Sequence, residues 1–298
     1  MLQQTRDILK TAQMLQENET GYSILGRQQT EENARKFTCA EKIRKSVYYK
    51  QLKAICRLFE TAKIQFIVLK GFTLLDQLYD QFPGRISGDI DILVRFCDLQ
   101  RVCALLIENG YVNEEWRTDI REGLPADSHL LMGMNHLREF IKGEENATFS
   151  LLSSFPLEIH YAIASTYPVD IGYDCNEYNL NQLELFSSTR PQYRDEFGFE
   201  VLDYDHEFLA LLYHFSIHAM HSFRKVLRTD AEIRSISHLL TEIALYWTHN
   251  SNNLDMDFIW NEAIACNRGY AVYMPLYIVN GAFNLSIPIR PYHEVNRV

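Results

Sequence analysis

The sequence has no Cys-x-x-Cys pair, no basic leader followed by an apolar core, and no uninterrupted apolar run of membrane-spanning length. Its six cysteines, Cys39, Cys56, Cys97, Cys103, Cys175 and Cys266, are scattered, as reduced thiols are, which excludes a zinc ribbon or a disulfide framework. The Asn-x-Ser/Thr matches at Asn146 and Asn284 therefore carry no weight. Residues Met1 to Gln16 are polar and mixed in charge, so no secretory leader is read there and a cytoplasmic location is expected. The most apolar late stretch, residues 271–289, is broken by Pro275, Asn280, Asn284 and Pro288, so no membrane partner is expected. Internal repeats and low-complexity segments are also missing.

Basic charge is in short supply. Lys and Arg total 29 against 39 Asp and Glu, a formal net charge of -10, whereas bulk attraction to a phosphate backbone needs a dense cationic surface. Long nucleic acid is therefore not expected as a partner, and a small molecule or a protein suits the charge better. The acids concentrate between Asp174 and Glu207, where only Arg190 and Arg194 oppose them, and this stretch reads as a solvated surface or connector. With 47% hydrophobic and 23% charged residues, the composition is that of an ordinary folded chain.

Thr30 to Ala62 lacks Pro and Gly, and Tyr48, Leu52, Ile55, Leu58 and Phe59 recur at helical steps, which predicts a long amphipathic helix. Phe66-Ile67-Val68-Leu69 is a short apolar run stopped by Lys70-Gly71 and reads as a buried strand. Helical spacing returns from Phe72 to Tyr79 and closes at Pro83-Gly84. A second strand is expected over Asp89 to Val94. Asp98 is expected to cap a helix from Leu99 to Asn109 that ends at Gly110. Residues His136 to Ile141 read as a strand returning as a hairpin into Thr148 to Leu152. Leu157 to Ile163 alternates cleanly, with Glu158, His160 and Ala162 on one face. Beyond Asp205, helices are expected over 208–223, 231–247, 256–267 and 272–283.

The chemistry concentrates at Asp89-Ile90-Asp91. Two acids one residue apart on a strand point the same way, about 6 to 7 Å apart along the chain at roughly 3.3 Å per residue. An isolated pair of this kind is commonly just two surface acids on an edge strand. Here it follows a strand, a glycine turn and a helix, and it is reached through Gly88. In that setting the pair suits two magnesium ions, which favour hard carboxylate oxygens and phosphate.

The string Val68-Leu69-Lys70-Gly71, Leu78-Tyr79, Arg85, Gly88-Asp89-Ile90-Asp91-Ile92-Leu93-Val94, Leu105-Leu106 and Gly110-Tyr111 resembles nucleotidyltransferase family 5, a bacterial group of the DNA polymerase beta superfamily. Leu157-Glu158-Ile159-His160-Tyr161 resembles that family's acid-x-His-aromatic strand, and 208–240, with His214, His218 and Asp230, its helical region. The resemblance implies an α+β fold: a polymerase-beta-like mixed sheet core with flanking helices, plus a mostly α-helical C-terminal region. It implies a phosphorus-group transferase that moves a nucleoside monophosphate from an NTP, ATP being the expected donor, to a hydroxyl or similar group on an unidentified acceptor, releasing pyrophosphate. Asp89, Asp91 and Glu158 would be the catalytic and metal-binding carboxylates for two Mg2+ ions, with Mn2+ as a substitute. Lys70, Gly71, Arg85 and Gly88 would bind the nucleotide. His160, His214, His218 and Asp230 are candidates to line the site. One departure from the superfamily is Gly71-Phe72-Thr73 where a Gly-Gly or Gly-Ser turn is usual.

The expected division is a helical region over 1–64, a nucleotidyltransferase core over 65–165 and a mainly helical region over 166–298. Two rival readings remain open: transfer of the terminal phosphoryl group, as in a kinase, and a non-catalytic nucleotide- or peptide-binding module. His214, His218 and His221 share a helix face, but the Glu of an H-E-x-x-H motif is absent, so a zinc site is not expected.

Overall fold

A computed structural model describes residues 7–8, 27–79, 88–113, 137, 139–142, 155–163, 182–194, 196–224 and 230–295. The chain divides into two compact units, one of Arg27–Leu202 and one of Asp203–Val298 together with Met1–Gly26.

The first unit begins with helix α1 (Arg27–Thr61), which contains neither glycine nor proline. Tyr48, Leu52, Ile55, Cys56 and Phe59 are all buried, and their steps of three and four place them on one stripe. The chain leaves α1 through Lys63, at φ 54, and enters strand β1 (Phe66–Val68). Helix α2 (Phe72–Tyr79) follows, then β2 (Ile90–Val94), all five of whose residues are buried. Next come α3 (Leu99–Glu108), β3 (Tyr111–Val112), β4 (Ile141–Lys142) and β5 (Leu157–His160). The unit closes with α4 (Gln182–Ser187) and a hairpin of β6 (Thr189–Arg194) and β7 (Phe197–Leu202).

The central sheet has the order β1-β2-β5, antiparallel between β1 and β2 and parallel between β2 and β5. A parallel neighbour requires a crossover, and the chain between β2 and β5 provides it with α3 and the β3–β4 pair. A small mixed sheet among many helices is compatible with the fold that the resemblance implies.

Several local expectations differ from the structure. Asp98 ends a 3-10 turn (Phe96–Asp98) and makes no side-chain cap to α3; its carboxylate instead lies 3.8 Å from the Arg101 guanidinium. Because Arg101 also donates to the Ala62 carbonyl, the first turn of α3 is tied to the end of α1. Gly110, at φ 81, does take the left-handed position just past the end of α3. Ile141–Lys142 pairs with Tyr111–Val112, and Phe140 bridges Leu157; residues 148–152 lie outside the described residues. The acidic stretch read as a connector contains the β6–β7 hairpin, with Phe199, Val201 and Leu202 buried. Those apolar side chains outweigh the acids because Phe197, Phe199 and Val201 alternate with Gly198 and Glu200, a period of two.

The second unit contains α5 (Tyr204–Arg224), α6 (Asp230–Asn250), α7 (Met256–Ala265), α8 (Gly269–Phe283) and α9 (Tyr292–Val295). Phe208, Leu212, Ile243, Tyr246, Val272, Leu276 and Val279 are buried in it. Pro275 lies inside α8 and has no N–H for the carbonyl four residues back, Ala271. The Ser216 hydroxyl donates to that carbonyl at 2.7 Å, so the proline leaves no orphaned acceptor.

Candidate functional site

Three adjoining strand ends build the site. On β2, Asp91 sits between Ile90 and Ile92 with its side chain wholly buried. The parallel register sets Glu158 opposite Asp91 and His160 opposite Leu93, so alternation puts Asp91, Glu158 and His160 on one face of the sheet. On the other side, the Leu69 N–H donates to the Asp91 carbonyl at 3.0 Å, which extends the β1–β2 ladder to the residue before Lys70. Lys70 then reaches the Asp91 carboxylate, with Nζ 2.9 Å from Oδ1.

The same Oδ1 lies 2.8 Å from His160 Nε2, which is also 3.5 Å from Glu158 Oε2. Asp91, Glu158 and His160 can each offer a ligand atom within 4.8 Å of the others. Asp89 is not part of that tight group. It precedes β2, half-buried, and its charge is felt at both Lys70 and Tyr48.

Burial alone would push the Asp91 carboxyl up, but the Lys70 charge and the His160 hydrogen bond and charge outweigh it and hold the group well below the ordinary carboxylate range. Burial would lower Lys70, yet Asp91, Asp89 and Glu158 together raise it well above an ordinary lysine. His160 is likewise raised: burial disfavours its cation, and hydrogen bonds to Asp91 and Glu158 more than compensate. Because the Asp91 carboxylate can only accept, Nε2 carries the proton in this bond, and in this arrangement His160 acts as a partner of the carboxylates.

The donor set fits a hard divalent cation. Asp91 Oδ1 takes both Lys70 and His160, while Asp91 Oδ2 is buried and has no hydrogen-bond partner among the described residues. A buried carboxylate oxygen without a partner is costly unless something positive reaches it, and Mg2+ coordinates such oxygens together with phosphate. Glu158, with 14% of its side chain exposed, borders the same group from β5.

Gly71, at φ 71, turns the chain from β1 into α2, and Gly88 is exposed just before Asp89. Arg85 lies outside the described residues. His214 and His218 belong to α5 in the second unit, their ring centroids 4.4 Å apart, and Asp230 is the first residue of α6. Tyr48 was not among the residues singled out from the sequence. Its place in the buried stripe of α1 marks it as core, and periodicity carries no signal that its hydroxyl lies beneath the Lys70–Gly71 turn.

The mixed sheet thus brings the Asp91 and Glu158 carboxylates together beside Lys70 and the Gly71 turn. The chain belongs to the family described as uncharacterised nucleotidyltransferase, whose model matches residues 20–284. No curated protein and no solved structure matches it. Among the described residues, no helix is long and apolar enough to cross a membrane.

Proposed function

We propose that this protein is a magnesium-dependent nucleotidyltransferase that moves a nucleoside monophosphate from an NTP, ATP being the expected donor, to a hydroxyl or similar group on a small molecule, peptide or protein. The observation that carries this reading is the buried Asp91 carboxylate, opposite Glu158 across β2 and β5, with one oxygen held by Lys70 and His160 and the other without a partner among the described residues. Membership of a nucleotidyltransferase family supports it.

Asp91 and Glu158 would hold the metal, with Asp89 as the additional carboxylate for a second ion. When bound, magnesium supplies neutralising charge for the triphosphate and for the departing pyrophosphate. Lys70 places a cation beside the same centre and suits a phosphate oxygen. Gly71 lets the backbone approach the phosphates, and the N-terminus of α2 offers N–H groups there. Arg85 and Gly88 are proposed as further nucleotide contacts. In the transfer, the acceptor oxygen bonds to the α-phosphorus, the bond from that phosphorus to the pyrophosphate oxygen breaks, and Glu158 takes the acceptor's proton. His160 fixes the orientation of Asp91. His214, His218 and Asp230 remain proposed acceptor-side residues, and the acceptor is proposed to meet the protein in the cytoplasm.

The test is incubation of the full chain with each NTP, magnesium and a cell extract, with label on the α- or the γ-phosphate in parallel. Transfer of α-label with release of pyrophosphate is expected. Transfer of γ-label would replace this reading with a kinase-like one, and the absence of any magnesium-dependent turnover would leave a binding module.

A further inference from the structure

Tyr48 is completely buried, and its hydroxyl lies at the base of the site, close to Gly71. A Cβ built on Gly71 would fall 2.7 Å from the Tyr48 hydroxyl and 3.2 Å from its ring carbons Cε2 and Cζ. The phenol thus occupies the space that any other residue at position 71 would need. After burial, the Asp91 and Asp89 charges are among the influences that raise the phenol's pKa, so the hydroxyl stays neutral beneath the carboxylates.

The surrounding part of α1 grips both sides of the site. Lys45 forms an ion pair with Asp76 on α2, and the Tyr49 hydroxyl donates to the same carboxylate at 2.8 Å. One turn away, the Gln51 side chain accepts from the Phe155 N–H at 2.9 Å and donates to the Phe155 carbonyl at 2.7 Å, just before β5. The Arg44 guanidinium lies 3.6 Å from the Phe155 ring centre, and the Tyr48 ring meets the same ring edge-on at 5.3 Å. Tyr48 is therefore placed between the turn that carries Lys70 and the entry to the strand that carries Glu158 and His160.

We propose that Tyr48 is a positioning residue that sets the place of Lys70 on Asp91 by supporting the Gly71 turn from below. Gly71 has no side chain to anchor it and tolerates many backbone conformations, so the phenol supplies the restraint that the glycine lacks. The role in catalysis rests on the nucleotidyltransferase reading; the placement of Lys70 does not.

The experiment is pulse acetylation of the lysines of the full chain, read by mass spectrometry, with exposed Lys42 and Lys50 as internal references. Lys70 keeps only 24% of its side chain exposed in its ion pair and should label slowly. Tyr48→Phe, which keeps the ring, should raise Lys70 labelling relative to the references on the order of threefold or more, because the turn opens locally more often. Gly71→Ala should raise it further in the Tyr48 background than in the Phe background, where the hydroxyl that a Cβ would strike is gone. In NTP turnover, Tyr48→Phe should raise KM more than it lowers kcat. Unchanged Lys70 labelling in folded Tyr48→Phe overturns the proposal, as does an active variant with unaltered KM and kcat. If Lys70 labels faster but the wild-type chain shows no magnesium-dependent turnover, the positioning stands and the nucleotidyltransferase reading is what fails.

Discussion

His160 Nε2 and Asp91 Oδ1 are 2.8 Å apart although 69 positions separate them in the chain. The contact exists because β5 lies parallel to β2 with Leu93 opposite His160, one alternation beyond Asp91. It makes Asp91 the hub of the site: the carboxylate is shared by a lysine from the β1 turn and a histidine from β5.

Asp91→Asn should therefore cost both activity and stability. Turnover should fall by at least about a hundredfold, since a charged group acting on the transition state is lost. Stability should drop by about 3 kcal/mol, because Lys70 and His160 are left without their shared anion in a buried setting. Pyrophosphate release and urea unfolding measure the two effects. An unfolding midpoint equal to wild type would contradict the role of Asp91 as the shared anion.

Glu158→Gln preserves volume, removes the base and leaves Asp91 and Asp89 as the carboxylates that would keep the metal and its nucleotide in place. NTP affinity, followed by calorimetry with magnesium present, should stay within about threefold of wild type, and the rate of transfer should fall by about a hundredfold. Equal rates would assign Glu158 to the surface of β5 alone.

Lys70→Met should act mainly on the nucleotide. A point charge beside the phosphates contributes in ground and transition states alike, so KM for NTP should rise by about tenfold with a smaller change in kcat. A lowered kcat at constant KM would show that Lys70 serves the reaction step and not nucleotide binding.

A fourth expectation concerns stability in the helical unit. Asp203 precedes α5 and accepts from the His206 N–H at 2.9 Å and from His206 Nδ1 at 2.8 Å. Burial would raise its pKa, but these bonds outweigh burial and lower it. A carboxyl lowered on folding stabilises the fold above its unfolded value, near about 3.9, and that contribution is lost as pH falls through the folded value. Asp203→Ala should cost about 1 kcal/mol at neutral pH, as loss of a helix N-cap does, and the difference from wild type should shrink as the acid range below the unfolded value is entered. A difference constant across that range would rule out the ionised carboxylate as the capping group.

The local elements around the site were legible because their signals are local. The apolar run at Phe66, the helical spacing of 72–79 and the alternation at Leu157 each lie within a few residues of sequence. The pairing of those strands was not legible in the same way. That Glu158 stands opposite Asp91 depends on a crossover whose register no local pattern encodes. The β6–β7 hairpin was masked by the density of acids around it, although its alternation was present. Tyr48 was hidden by a different cause: a residue that packs like core and also props up a turn gives only the core signal.

The reciprocal bonds of Gln51 to Phe155 span 104 positions, and the bond of His160 to Asp91 spans 69. Contacts of such separation are slow to form, because the intervening chain must be ordered before they return any stabilisation. During synthesis, a chain that ends before Phe155 can contain α1 and the β1–β2 pair but lacks Glu158 and His160. The carboxylate centre therefore assembles only with the arrival of β5, the last strand of the central sheet.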